Sequence, residues 1–218
     1  MKIAVPLTLS LILLAAMAAA SAIALAILPA DASIGVHFDL SGNPDRFATP
    51  LLAVSIMPTA ALFAILMFCL APRFEKRREN LARSGRAYAT VWAVTLVLLA
   101  AAHGFILARA FGIEVSVTHG MVGGLGLLLI ATGNIAGKIR PNRTVGVRTP
   151  WTLADGDNWT KTHRLYGWFS VVCGLAVILA ALFAKSTHLV GIIGIGALIA
   201  TAVVPTGYSF WLSRRKAT

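Results

Sequence analysis

Residues 138–166, KIRPNRTVGVRTPWTLADGDNWTKTHRLY, gather most of what could do chemistry in this chain. They set Lys138, Arg140, Arg143, Arg148, Lys161 and Arg164 beside Trp151, Trp159 and His163, between two strongly apolar runs. An imidazole can exchange a proton near neutral pH. Guanidinium groups can hold a phosphate or carboxylate through paired N–H donors. A long, basic, aromatic connector between helices is therefore a functional candidate. No glycine-flanked serine, histidine pair at metal spacing or phosphate-cradling glycine loop accompanies these residues. Asp155 and Asp157 suit a helix start better than paired acid–base work. The expectation is no catalytic set, no metal site and no cofactor.

A second polar cluster lies at 29–50, where His37, Asp39 and Asp45 could form a hard-metal or acid–base group. A lone histidine beside two surface aspartates more often serves as a hydrogen-bonded cap. Ile34, Val36 and Phe38 alternate with polar or small residues, predicting a short extended segment. Ser41-Gly42-Asn43-Pro44-Asp45 then predicts a turn. His103 and His119 could form a polar cluster beneath this loop, although separately satisfied structural histidines are the plainer reading.

The elements that must position these residues are helices in a membrane. A hydrophobic fraction of 58%, with 12% charged residues and a mean hydropathy of +0.81, excludes an ordinary soluble domain. Apolar runs at roughly 3–28, 51–70, 87–110, 118–137, 165–184 and 189–211 are each long enough to cross a hydrocarbon core about 30 Å thick. The fold class expected is all-α, a polytopic membrane protein with six transmembrane helices. The first run continues to Leu28, beyond a signal-peptide core, and is read as a retained helix.

On this topology, all but three of the 19 lysines and arginines fall on one side, the exceptions being Arg46, Arg109 and Lys185. The positive-inside bias then predicts both termini in the cytoplasm. It also accounts for the net charge of +11 without nucleic acid, leaving the lipid bilayer as the partner. Cys69 and Cys173 fall inside apolar runs, so no disulfide is expected. Gly120/Gly124 and Gly133/Gly137 have the four-residue spacing that permits close helix approach. No Asp, Glu, Lys or Arg falls near the middle of a run, which disfavours an ion-coupled transporter.

Within the connector, Thr152-Leu153-Ala154-Asp155 predicts a capping box with Thr152 as the N-cap. The helix beginning near Leu153 would lie at the interface, before the fifth span. Trp151, Trp159 and Trp168 suit headgroup depth.

The segment PNRTVGVRTPWTLADGDNWTKTHRLYGW resembles the signature of the SdpI family of bacterial membrane proteins. The resemblance is carried by Asn142, Gly146, Val147, Arg148, Thr149, Pro150, Trp151, Thr152, Leu153, Trp159, Thr162, His163 and Arg164. Ile34, His37, Phe38, Gly42, Pro44 and Asp45 resemble the module that commonly precedes that signature. Gly156 departs from the pattern, standing where a helix-favouring residue is usual.

The resemblance implies an N-terminal module at 1–86 and a signature module at 87–218, in the bacterial cytoplasmic (inner) membrane. It implies immunity to a secreted toxic peptide and, in founding members, capture of a cytoplasmic transcriptional repressor. The functional residues expected are Asn142, Gly146, Arg148, Thr149, Trp151, Thr152, Trp159, Thr162, His163 and Arg164, with His37, Gly42 and Asp45 in the outer loop. Two other classes stay open: a small permease for a peptide or lipid, and an interfacial enzyme using His163 with Arg148.

Overall fold

The computed structural model describes residues 3–215. Helix α1 (Ala4–Ile27) is followed by a hairpin of β1 (Ile34–Phe38) and β2 (Pro44–Ala48). Helices α2 (Pro50–Phe74), α3 (Arg78–Arg83), α4 (Gly85–Ala110) and α5 (Val117–Ala136) come next. The chain ends with α6 (Pro150–Ala154), α7 (Gly156–Phe183) and α8 (Thr187–Arg215). Helices α1, α2, α4, α5, α7 and α8 are long and apolar enough to cross a membrane, as expected. Lys2 and Lys216, which entered the charge argument, lie outside the described residues.

The hairpin adds a strand pair to an otherwise helical chain. The alternation at 34–38 foreshadowed β1, whereas β2 was not expected. Gly42, with φ +85°, makes the reversal between them.

Helices α1, α2 and α4 pack on one another, as do α5, α7 and α8, and α4 against α5 joins the two groups. The tightest approach is between α5 and α7, and its spacing differs from the expected one. Gly126 and Gly133 on α5 face Gly174 and Gly167 on α7, seven residues apart on each helix. A Cβ on Gly133 would lie 2.6 Å from the Gly167 carbonyl oxygen, and one on Gly174 the same distance from that of Gly126. Without side chains at these positions, dispersion contacts form backbone to backbone. Gly120 and Gly124, the four-residue pair, instead face Phe105 and Leu98 of α4.

Two interior prolines of α2 explain further packing. Pro58 and Pro72 lack the N–H that would bond the carbonyls of Val54 and Phe68, four residues earlier. In lipid no water can replace it. Ser21 Oγ of α1 donates to the Val54 carbonyl (2.9 Å), and Tyr88 Oη of α4 donates to that of Phe68 (2.5 Å). Each break in α2 thus becomes a tie to a neighbouring helix.

Candidate functional site

The connector folds as a strap across one end of the bundle. After α5, Ile139 is buried and Arg140 turns the chain back over α3 and α4. Its N–H donates to Ser84 Oγ (2.9 Å), and Asn80 Nδ2 donates to the Pro141 carbonyl (2.8 Å). Asn142, fully buried, shapes the next bend. Its Oδ1 accepts from the N–H groups of Thr144 and Val145 (2.8 and 2.7 Å), while its Nδ2 donates to the Arg140 carbonyl.

Glu75, just past α2, anchors that bend. Its Oε2 accepts from Arg143 N–H (2.8 Å) and Thr144 Oγ1 (2.6 Å), and its Oε1 accepts from Arg77 N–H (2.8 Å). Burial pushes this carboxyl up. The Thr144 hydroxyl, the two backbone donors and the Arg143 charge outweigh that effect, holding it below its ordinary 4.5. Arg77 Nη2 then ties the far end of the strap by donating to the Leu153 carbonyl (2.8 Å).

Gly146 and His163 fit each other. Gly146 has φ +118°, a region that side chains disfavour, and a Cβ there would collide with the His163 ring. Val147 N–H donates to His163 Nε2 (3.0 Å), and His163 Nδ1 faces the Trp159 carbonyl (2.9 Å). Only the neutral ring carrying its proton on Nδ1 satisfies both partners. The ring also stacks on Trp159, centroids 4.0 Å apart. With both nitrogens engaged and the side chain buried, His163 has no free nitrogen for acid–base work on a substrate. It is built as a strut.

The capping box is present with different members. Thr149 is the N-cap: its Oγ1 accepts from Thr152 N–H (3.2 Å), while Thr152 Oγ1 accepts from Thr149 N–H (2.9 Å). Pro150 at the first helical position sets this start one turn earlier than expected. Asp155 caps α7, accepting from Asp157 N–H (2.9 Å). The helix expected from near Leu153 is instead divided: the five-residue α6 ends at Ala154, and α7 starts at Gly156 and continues into the fifth span.

Trp159 is likewise not at the interface. It is buried, donating through Nε1 to the Ile139 carbonyl (2.8 Å). Trp151 is half-buried on α8, its Nε1 donating to Ser209 Oγ (2.5 Å), and Trp168 is exposed. Thr162 Oγ1 donates to Asn158 Oδ1 (3.0 Å), and Asn158 Nδ2 to the Ser209 carbonyl (2.8 Å).

Asn142, Gly146, Thr149, Trp151, Thr152, Trp159, Thr162 and His163 are therefore brought together, mostly by burying them. Arg148 and Arg164 remain exposed on the strap. Arg148 Nη1 donates to the Arg143 carbonyl (2.7 Å), and Lys161 pairs with Asp157 (3.0 Å). Arg164 borders a recess of about 320 Å³ that Lys138 and Arg140 also line. The sequence reading missed Glu75, Arg77, Asn80, Ser84, Asn158 and Ser209. Glu75 had one signal, an acid at a helix exit followed by a run of bases.

At the opposite end, His37 Nδ1 meets Asp45 Oδ1 (2.5 Å) across the hairpin. Asp39 faces elsewhere, its Oδ1 accepting from Ser41 and Asn43 N–H groups in the turn. Gly42 packs close to Thr118 and Thr187, and Leu40 covers Gly191. His103 and His119 do not meet. His103 Nε2 lies 3.2 Å from Ser21 Oγ, whereas His119 Nε2 lies 3.2 Å from the Ala184 carbonyl.

Fold and strap together define a multi-pass membrane protein whose two helix groups are tied at one end by a buried polar segment. Residues 138–209 match the SdpI/YfhL protein family. The chain is also similar to the immunity protein SdpI of Bacillus subtilis (strain 168), 29% identical over 144 residues, covering 66% of this chain and 67% of the relative. The likeness to the SdpI/YfhL family is thus centred on the strap and the two helices that follow it. No solved structure matches it.

Proposed function

We propose that this chain is a membrane immunity protein, protecting its cell against a secreted toxic peptide. The observation that carries the reading is the match over 138–209, which covers most of the strap and the two helices it binds. In this reading the protein sits in the bacterial cytoplasmic membrane with both termini and the strap inside. The hairpin bearing His37, Gly42 and Asp45 faces the toxin.

The strap is then the output side. Lys138, Arg140 and Arg164 around one recess, with no carboxylate lining it, complement an acidic surface such as that of a cytoplasmic repressor. Asn142, Gly146, Thr152 and His163 serve by holding that surface in place.

The test is expression in a Bacillus strain lacking its own immunity protein and challenged with the secreted toxic peptide against which founding members protect. Wild type is expected to restore growth. Arg148→Ala and Arg164→Ala are expected to insert normally while weakening repressor recruitment to membranes. Growth no better than the empty vector, with the protein inserted, refutes immunity to that peptide. Peptide or lipid flux in reconstituted vesicles would instead support a permease.

A further inference from the structure

A cleft of about 850 Å³ lies between the two helix groups, beneath the strap. Its side walls are α2 (Phe63, Met67) and α8 (Leu198, Ala202), which form no packed interface across it. Phe63 is 62% exposed, Met67 43% and Leu198 51%, and in a spanning helix such exposure is to hydrocarbon. The cleft therefore opens sideways to lipid. Polar groups concentrate at its strap end, where Arg148 borders it.

We propose that this cleft binds one anionic phospholipid from the leaflet on the strap side, acyl chains between α2 and α8 and phosphate at Arg148. Depth selects this occupant. Along α2 the cleft runs from Phe63 to Ala71, and along α8 from Leu198 to Thr206. Either run is about 12 Å at about 1.5 Å per residue. One leaflet contributes about 15 Å of a core about 30 Å thick. A spanning peptide helix needs the full thickness, so the cleft is too short for it. Beyond Leu198, which lines both, a second and smaller recess of about 370 Å³ lies under the hairpin at the opposite end.

Charge selects the headgroup. Arg148 lies beyond the ends of α2 and α5, at headgroup level. It gives one N–H to the Arg143 carbonyl, and no carboxylate pairs with it among the described residues. Its other donors can take two phosphate oxygens side by side.

The experiment uses the full chain purified in dodecyl maltoside, with dioleoyl phosphatidylglycerol or dioleoyl phosphatidylcholine added back. Bound lipid is counted by native mass spectrometry, and stability is read by thermal melting. Phosphatidylglycerol is expected to remain bound at one per chain and raise the midpoint by about 5–10 °C at a hundredfold excess over Kd. Phosphatidylcholine should bind more weakly. Arg148→Gln should bring the two lipids level. Ala202→Trp, which fills the cleft from α8, should remove both, and Ala64→Leu fills it from α2 should the first variant fail to fold.

Equal retention of the two lipids by wild type would overturn the proposal. So would undiminished binding in a folded cleft-filling variant. Stabilisation by inorganic phosphate equal to that by phosphatidylglycerol would also overturn it, because the acyl chains would then contribute nothing.

Discussion

Glu75 holds the strap to the first helix group, and removing it tests the architecture directly. The carboxylate is 3% exposed and accepts from Arg77 N–H, Arg143 N–H and Thr144 Oγ1. In Glu75→Ala all three donors lose their acceptor. Hydrogen bonds to a buried charge are worth about 1.5–3 kcal/mol each but do not sum fully, so a loss of about 3–5 kcal/mol is expected. For a chain of this size that lowers the melting midpoint by about 10 °C.

Glu75→Gln should fall between, at about 2 kcal/mol, since either amide orientation sets one N–H against another. In a Glu75/Thr144 double-mutant cycle the coupling should reach about 1 kcal/mol. The pH dependence has a definite sign. A carboxyl whose folded value is lowered stabilises fully above its ordinary value of 4.5 and loses that contribution as pH falls through the lower folded value. The gap between wild type and Glu75→Ala should thus be constant from about pH 6 to 8 and close in stronger acid. Melting in detergent micelles reads all of these. A Glu75→Ala midpoint within about 2 °C of wild type would refute the claim that this carboxylate carries the strap.

Two further substitutions probe the strap and the bundle separately. Gly146→Ala forces a side chain into positive φ and against the His163 ring, so a loss of about 2–4 kcal/mol is expected by thermal melting. An unchanged midpoint would mean that the ring is not packed there. Tyr88→Phe strands the Phe68 carbonyl and should cost about 1–3 kcal/mol in wild type, but much less in a Pro72→Ala background, where the helix regains its own N–H. Equal costs in both backgrounds would refute that pairing.

Much of the fold was legible because lipid imposes a simple rule. Any segment crossing hydrocarbon must satisfy its backbone internally and present apolar side chains, so six apolar runs meant six helices. The capping box in the connector and the close helix approach of the glycine-rich fourth run were legible in kind but not in detail. A capping box one turn out of place, or glycines paired at seven rather than four, depends on which neighbour a helix meets, and no single run encodes that. The strap misled most. Its tryptophans and histidine suggested an interfacial surface open to a partner, because sequence records polarity but not whether the fold itself satisfies it.

By itself the sequence determined the spans, the concentration of charge toward one side and the signature segment that resembles the SdpI/YfhL family. Only the tertiary structure decided that Glu75, Asn80 and Ser84 lie beneath residues 139–144, and that His163 is a neutral strut rather than a base. It also decided that the prolines of α2 are bridged by Ser21 and Tyr88. These are pairings between residues far apart in the chain, and each polar group becomes inert or reactive according to the partner that folding brings to it.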